Sequence, residues 1–492
     1  MRLIINKIIL LAGIFVFVSC ADLDLVDPNQ PTEASYWKTE NDLYAGVIAA
    51  YDALQTSDQR GRLLLMSDLG SYKGIWSRFE SFQWGNLNLF ENEWRQGYDL
   101  IGRGFQVIDR AGSVSGAGVP RIVAEAKFLV ALGYFRLLTG FGDHIAYVDR
   151  IQNPGDVPRR AEAGELWTLT EILLTEAITD LPVSISPANY GRASKGAAQA
   201  LLAKVYMQQG DNAAAEPLLK AIIDSDEYSL NADFGENFIE MNSVNPEAVF
   251  VINYLHDGPA SETDNTITFL GNGFAEALGL WGDHHASNYP EQLFTSELDN
   301  NGEQDVRMNA TLFWDGTDRL FYGQTHLWWL DNTEVYDDDY TTMWYKFSEQ
   351  ADVANNPNGE ALDTDFGTDY VYIRYADILL LYAEVLNDAG NTTEAYAYVD
   401  QVRARANMHP LSSTMPGMAA EQFLTRLKHE RATELCAEGV RWYDLKRWGD
   451  YGPASIPNDS DFEGFVVGQH ELFSIPQVEL DLNPNLIQNP GY

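Results

Sequence analysis

Two stretches of the chain, AKVYMQQGDNAAAEPLL and AEVLNDAGNTTEAYAYV, align with each other at a constant offset and without a gap. Each carries a glycine near its centre, Gly210 in the first and Gly390 in the second. Helices that cross closely need small residues at the crossing, and the turn between them needs a residue that accepts a left-handed backbone. The stretches therefore predict tetratricopeptide-like helical hairpins. The aligned pairs of small or apolar residues are Ala203 with Ala383, Val205 with Val385, Ala215 with Ala395, and Leu219 with Val399.

The second hairpin can be followed residue by residue. Apolar and aromatic residues recur every three or four positions from Tyr375 to Leu386, which places them on one face of a helix. Gly390 is expected to end this helix, and Asn391 with Glu394 predicts a capping-box-like start of the next one. The side chains that this next helix is expected to bury are those of Ala395, Val399, Val402 and Ala406.

Five further helices are readable from the same spacing of apolar residues. Their separation along the chain is irregular, which predicts a scaffold of helical pairs with long insertions rather than a tandem array. The largest insertion, residues 231–370, is rich in Gly, Asn, Asp and aromatic residues and predicts long loops with short strands. The predicted fold class is mostly α with minor β structure. The five helices are Asn41–Leu54, Glu93–Ala111, Arg121–Leu138, Leu166–Leu181 and Glu421–Ala437.

The first residues, MRLIINKIILLAGIFVFVSC, have the pattern of a secretory signal. Arg2 and Lys7 precede an apolar run that is too short to span a bilayer as a helix. The small residue before Cys20 resembles the lipobox at which bacterial lipoprotein precursors are cleaved and acylated. We therefore expect residues 1–19 to be a lipoprotein signal peptide and Cys20 to be the lipidation site. No later apolar run approaches about 20 residues, so the mature chain is expected to be tethered to a membrane rather than embedded in it. We expect residues 20–492 to form a single domain.

Charge and cysteine content narrow the function further. Asp and Glu outnumber Lys and Arg by 72 to 32, which gives a formal charge of −40. This charge repels phosphate backbones and anionic headgroups, so we do not expect nucleic acid as a partner. With Cys20 lipidated, Cys436 has no second cysteine for a disulfide. No histidine stands in a recognisable partner motif, so we interpret Cys436 as a small buried side chain rather than a catalytic thiol.

Six blocks in order along the chain carry a family resemblance: the lipobox with ADLDLVDPNQPTEASYW, then EAKFLVALGYFRLLTGFGDHIAYVD, RASKGAAQALLAKVYM, YIRYADILLLYAEVLNDAG, ELCAEGVRWYDLKRWGD and LFSIPQVELDLNPNLIQNPGY. Together they resemble the SusD/RagB family of outer-membrane lipoproteins over essentially the whole mature chain. The resemblance implies a non-catalytic protein of the cell exterior that binds glycans and delivers them to a SusC-like TonB-dependent transporter. It implies no cofactor. The family also includes members that bind peptides, so peptide capture on the same scaffold stays open.

The block ELCAEGVRWYDLKRWGD combines acidic, basic and aromatic residues. Its charges nearly balance, which argues against a site for polyanions, and Arg441 with Asp444 predicts an ion pair at helical spacing. A catalytic pair of carboxylates would face a cleft, whereas each acid here has a basic residue within about one turn. We interpret the block as structural, with Gly439 permitting a kink and Trp442 and Trp448 packing among paired charges. Replacing Arg441 should therefore affect folding rather than ligand affinity.

A carbohydrate ligand needs flat aromatic rings beside side chains that donate and accept hydrogen bonds. Three loop segments offer both: SDLGSYKGIWSRFESFQWGN, LGLWGDHHASNY and DRLFYGQTHLWWLDNTEVY. If the backbone is extended, the adjacent Trp328 and Trp329 face opposite ways, and one of them is expected in the core. The candidate glycan-binding residues are Trp76, Trp281, Trp328, Tyr72, Arg78 and Asp283.

Metal and enzyme motifs are not apparent in the sequence. Asp283, His284 and His285 lack further ligands at defined spacing, so no transition-metal site is expected. The acidic runs near Asp337 and Asp363 do not fit an EF-hand and are interpreted as solvated loops. No nucleophile elbow, phosphate-binding loop or dinucleotide motif is present. A glycoside hydrolase stays open as a second alternative, because its paired carboxylates have no fixed spacing.

Overall fold

The computed structural model describes residues 36–55, 67–72, 77–85, 88–153, 155–239, 244–253, 284–320, 324–332, 342–346, 369–451 and 464–492. The predicted signal peptide and Cys20 lie outside these ranges, so they stay predictions, as does the single mature domain. The described part is mostly helical with a few short strands, which confirms the predicted fold class. None of its helices is both long enough and apolar enough to cross a membrane.

The first half of the chain forms most of the scaffold. All five helices predicted from apolar spacing are present, four of them in this half and the fifth near the C-terminus. Each begins and ends within three residues of the predicted positions. The helices up to the insertion are α1 (Glu40–Asp52), α2 (Ser77–Glu80), α3 (Glu91–Ala111), α4 (Val119–Phe141), α5 (Glu165–Asp180), α6 (Lys195–Gln208) and α7 (Asn212–Ile223). The short strand β1 (Gly70–Tyr72) lies between α1 and α2.

The insertion contains both strands and short helices. The prediction of loops with short strands was incomplete, because helices of eight residues or fewer are too short to show a helical period in the sequence. Its elements are β2 (Ala248–Ile252), β3 (His284–Ala286), α8 (Asn288–Thr295), α9 (Val306–Thr311), β4 (Leu312–Phe313), α10 (His326–Asn332), β5 (Met343–Trp344) and the start of β6 (Tyr370–Arg374). The strands pair antiparallel as β1 with β3, β2 with β6 and β4 with β5.

The second half of the scaffold follows β6. Its helices are α11 (Tyr375–Asp388), α12 (Thr392–Arg405), α13 (Leu411–Thr414), α14 (Ala420–Glu434), α15 (Arg441–Trp448) and α16 (Gln477–Leu482). Successive helices pack side by side from α3 to α7, and α7 then packs on α11, which carries α12 and α14. The two aligned hairpins, α6 with α7 and α11 with α12, are therefore direct neighbours in one continuous stack.

The structure confirms the alignment of the two hairpins. Gly210 and Gly390 both take the left-handed backbone at their turns, with φ of 78° and 82°. The predicted capping box of α12 is wrong, because the Asn391 side chain makes no capping hydrogen bond. The Thr392 hydroxyl instead donates to Asn387 Oδ1 at 2.8 Å, so the start of α12 is bonded to the end of α11. All eight aligned residues are buried, and so are Val402 and Ala406.

The buried apolar side chains form two clusters. The larger cluster fills the helical scaffold, and the smaller one lies beneath the insertion and includes Phe313, Trp344 and Cys436. Burial raises the pKa of the Cys436 thiol to about 12, which keeps it protonated at neutral pH. The thiol is fully buried and behaves as a small core side chain, as the sequence predicts.

Candidate functional site

A two-stranded ribbon connects two of the three aromatic loop segments. Strands β1 and β3 are antiparallel, with Gly70 opposite Ala286 and Tyr72 opposite His284. In such a pair, the chain that leaves one strand and the chain that enters the other lie at the same end of the ribbon. The segment that follows Tyr72, which contains Trp76, and the segment that precedes His284, which contains Trp281, are therefore attached at the same end of the ribbon.

The third segment is joined to this ribbon through the smaller core. The backbone N–H of Ala286 donates to the carbonyl oxygen of Thr342 at 3.3 Å, just before β5. Strand β5 pairs with β4, and the Phe313 ring of β4 lies 5.2 Å from the ring of His326 at the start of α10. The ribbon, the β4–β5 pair and α10 thus form one connected group of elements.

Trp328 lies on α10 with its side chain at the surface. It is 39% exposed, and its neighbour Leu327 is 59% exposed. The backbone N–H of Trp328 donates to the Thr325 hydroxyl at 3.2 Å in the first turn. The argument that Trp328 and Trp329 face opposite ways applies only to an extended backbone, and residues 326–332 are helical. The exposed ring of Trp328 is therefore accessible to a ligand, and this does not depend on which way Trp329 faces.

The other predicted site residues are described to different extents. Arg78 is half-buried on α2, and the backbone of Tyr72 lies in β1. Trp76, Trp281 and Asp283 lie outside the described residues, as does the side chain of Tyr72. The backbone therefore brings the segments of Tyr72, Trp281 and Trp328 onto connected elements, whereas the roles of the six side chains stay predictions.

Next to the β1–β3 ribbon, Arg441 forms an ion pair with a partner other than the Asp444 that the sequence predicted. Arg441 does not pair with Asp444; its Nε and Nη2 donate to the two carboxylate oxygens of Asp68 at 2.8 and 2.6 Å. Asp68 is 1% exposed and stands two residues before β1, and its carbonyl oxygen accepts from the Ser287 hydroxyl at 2.8 Å. Asp444 instead accepts from Arg431 at 2.9 and 3.0 Å. Arg441 therefore connects the first turn of α15 to the ribbon.

The acids of the same block belong to a buried network of ion pairs. Arg374, in β6, contacts Glu434 at 2.8 Å and Glu438 at 2.8 Å through its guanidinium group. Lys346 of the insertion contacts Glu438 at 2.7 Å, and Arg307 of α9 contacts Glu434 at 2.9 Å. All five side chains are almost entirely buried. The network joins the C-terminal end of α14 to the insertion, which supports the structural interpretation of this block.

The pKa shifts of two acids in this network favour permanent negative charges. Burial acts to raise the pKa of Glu434, but the attraction of Arg405, Arg374 and Arg307 outweighs it, so its pKa lies well below the usual range. The pKa of Glu430 is lowered in the same way by Arg307 and Arg403. A carboxylate that stays ionised at neutral pH cannot supply a proton as a general acid. These two acids are suited to hold the fold together.

Sequence reasoning did not find this network. Its cations come from β6, α9, α12 and the insertion, so no local pattern could pair them with the acids of α14. It also did not find a cleft along α3, which is described below. Within the described residues, no group of three or more His, Cys, Asp or Glu side chains could hold a metal ion.

Stacked pairs of helices that carry a loop-rich insertion define the class of tetratricopeptide-like scaffold proteins. The SusD family model matches residues 184–492, and the chain belongs to this family. A SusD-like protein P2 of Formosa agariphila is 28% identical to it over 99% of both chains. A SusD superfamily protein of Bacteroides vulgatus has a TM-score of 0.76 at 22% identity, covering 93% of this chain and 100% of that one. Surface glycan-binding protein A of Bacteroides thetaiotaomicron, solved with laminarihexaose, has a TM-score of 0.72 at 21% identity, with 92% and 99% covered.

Proposed function

We propose that this protein captures oligosaccharides or polysaccharides at the cell surface and passes them to a SusC-like TonB-dependent transporter without altering them. The observation that carries this proposal is that two aromatic loop segments start at one end of the β1–β3 ribbon, while the third carries the exposed Trp328 on elements connected to that ribbon. The proposal is supported by two fold relatives, one described as a laminarin-binding SusD-like protein and one solved with laminarihexaose.

In this proposal, aromatic rings stack on the apolar faces of sugar units. Trp328 supplies one ring, and Trp76 and Trp281 supply others from the loops that leave the ribbon. Tyr72, Arg78 and Asp283 contribute hydrogen bonds to hydroxyl groups. Tethering through a lipid on Cys20 keeps the bound glycan near the transporter, which raises its local concentration there.

Titration calorimetry with laminarihexaose, after a screen on a glycan array, tests the binding step. We expect Trp328→Ala to weaken binding roughly five-fold, because a stacked ring contributes about 1 kcal/mol. The matched control is Leu327→Ala, which shortens the adjacent exposed side chain on α10 and should leave binding unchanged. Equal loss in both variants, or binding to peptides with none to any glycan on the array, would contradict the proposal.

The non-catalytic part needs a separate measurement. Purified protein incubated with the glycan that it binds should release no shorter product, as judged by chromatography over a day. Turnover that a single Asp→Asn or Glu→Gln substitution abolishes would instead identify a glycoside hydrolase.

The anchor and the partner can be tested in cells. Labelled fatty acid should be incorporated into the wild-type chain but not into Cys20→Ala, and surface proteolysis should cut only the anchored form on intact cells. The wild-type protein should also co-purify in mild detergent with an outer-membrane barrel transporter. Labelling of the Cys20→Ala variant would exclude Cys20 as the anchor.

A further inference from the structure

A cleft of about 560 Å³ runs along α3, between the loop 146–158 and the C-terminal segment 477–486. Its volume is within the range of ligand-binding pockets. None of the residues that line it belongs to the insertion 231–370 or to the aromatic loop segments discussed above. An activity at this cleft would therefore be additional to the proposed glycan binding.

A glycine in the floor of the cleft has no packing role against the described residues. In α3, a side chain at Gly97 would clash with Leu137, and one at Gly104 would clash with Val130, so these two glycines let α3 approach α4. A Cβ atom at Gly102 would meet no atom of the described part of the chain within 4 Å. Glycine inside a helix costs about 1 kcal/mol relative to alanine. Gly102 is thus destabilising for α3, and its effect is to leave the helix backbone open to the cleft.

A carboxylate at one end of the cleft has no cation beside it. Glu479 is half-buried, and burial followed by repulsion from Glu91 raises its pKa, while a hydrogen bond from Trp94 opposes this. Within the described part of the chain, no Lys or Arg forms an ion pair with Glu479. The other charged residues of the lining also make contacts within the chain. Asp99 pairs with Arg103 at 3.0 Å and Arg150 pairs with Asp149 at 3.4 Å. Arg95 donates to the side-chain oxygen of Asn92 at 3.0 Å, and Asp156 accepts from the backbone N–H of Asn153 at 2.7 Å.

The apolar part of the lining is aliphatic at the surface. Val157 is 49% exposed and Leu482 is 69% exposed, and both line the cleft. The aromatic residues are less accessible, since Trp94 is 3% exposed and the Tyr98 hydroxyl donates to the Ala146 carbonyl oxygen at 2.8 Å. A sugar needs an open ring to stack on, whereas exposed Val and Leu side chains suit the hydrocarbon stem of another residue.

We propose that this cleft binds an extended, basic peptide segment of a partner protein. A Lys or Arg side chain of the segment lays its aliphatic stem against Val157 and Leu482 and places its cationic head on the Glu479 carboxylate. The segment's backbone passes over Gly102. From position 94 to 106, α3 is about 18 Å long, which equals roughly five residues of extended chain. The net charge of −40 attracts such a segment over longer distances.

The probe is the pentapeptide acetyl-Ala-Leu-Lys-Leu-Ala-amide, compared with the same peptide in which norleucine replaces lysine. Binding to the full chain is followed by calorimetry and by amide chemical shifts. Gly102→Gln fills the cleft, and Glu479→Gln removes the charge at constant shape. The control is Gly112→Gln, because Gly112 also has open space around it but stands at the end of α3, away from the lining residues.

We expect the wild-type chain and Gly112→Gln to bind the lysine peptide at least ten-fold more tightly than the norleucine peptide. Glu479→Gln should bind both peptides equally, and Gly102→Gln should bind neither while melting at or above the wild-type temperature. Equal affinity of the wild type for both peptides, or unchanged binding in Gly102→Gln, would overturn the proposal. Displacement of the peptide by laminarihexaose would also overturn it, since the cleft would then be a sugar site. Loss of glycan binding in Trp328→Ala bears on the other site and leaves this result unaffected.

Discussion

At the scale of single residues, Glu434 is the most heavily paired acid of the buried network. It accepts from Arg307, Arg374 and Arg405, and none of the four side chains has appreciable contact with water. Each of these arginines keeps another carboxylate partner, but removing the Glu434 charge leaves an excess of buried positive charge. We therefore expect Glu434→Gln to lower the free energy of unfolding by about 3–5 kcal/mol. Urea denaturation at pH 7 measures this.

A pair at the surface provides the control for this substitution. Lys220 and Asp224 form an ion pair in α7 that is exposed to solvent. Such pairs contribute little, and Lys220→Ala should leave the urea midpoint unchanged. A Glu434→Gln variant as stable as Lys220→Ala would show that the network is not a determinant of stability.

The carboxylate of Asp377 gives a prediction about acid. Burial acts to raise its pKa, but Lys204 and Arg431 lower it to about 2. Because the folded pKa is below the unfolded one, this group stabilises the fold above about pH 4 and loses that effect as the pH falls towards 2. The contribution is about 2 kcal/mol at neutral pH. We expect the unfolding free energy of Asp377→Asn to vary less between pH 4.5 and 2.5 than that of the wild type, and parallel curves would contradict this.

At the scale of elements, two glycines should respond in opposite directions to the same substitution. Gly390 turns the chain between α11 and α12 at φ of 82°, so Gly390→Ala should lower the unfolding free energy by about 1–2 kcal/mol. Gly102 lies inside α3 with open space around it, so Gly102→Ala should raise the unfolding free energy by about 0.5–1 kcal/mol. Thermal melting of both variants tests the comparison. A destabilised Gly102→Ala would mean that the cleft is narrower than described.

At the scale of the whole molecule, Arg441 and Asp68 connect the helical scaffold to the ribbon. Both side chains are mostly buried, so Arg441→Ala should lower the unfolding free energy by about 3 kcal/mol. The double variant with Asp68→Ala should be more stable than the sum of the two single effects predicts, because the residues act as a pair. Laminarihexaose titration of each variant separates folding from binding. An Arg441→Ala chain that melts like the wild type but no longer binds would refute the structural assignment.

Contacts between distant parts of the chain are what the sequence pattern did not predict. The spacing within ELCAEGVRWYDLKRWGD suggested that Arg441 pairs with Asp444, whereas its partner, Asp68, is far away along the chain. The short helices of the insertion have too few turns to produce a period, so α10 was not predicted, although Trp328 was among the candidate glycan-binding residues. For the candidate site, the sequence named the aromatic segments, and the strand register showed that two of them leave the same end of a ribbon.

The sequence by itself determined the long helices and the two matching hairpins, because these depend on residues within a few turns of one another. The order of six such local blocks along the chain also indicated the family. Apolar periodicity and turn glycines are local properties, and they persist whatever the rest of the chain does. Tertiary structure alone decided which charges pair in the core, which ring is exposed and where the α3 cleft opens. Each of these depends on contacts between residues that are distant in sequence, and in the folded chain such contacts set both burial and the electrostatic environment.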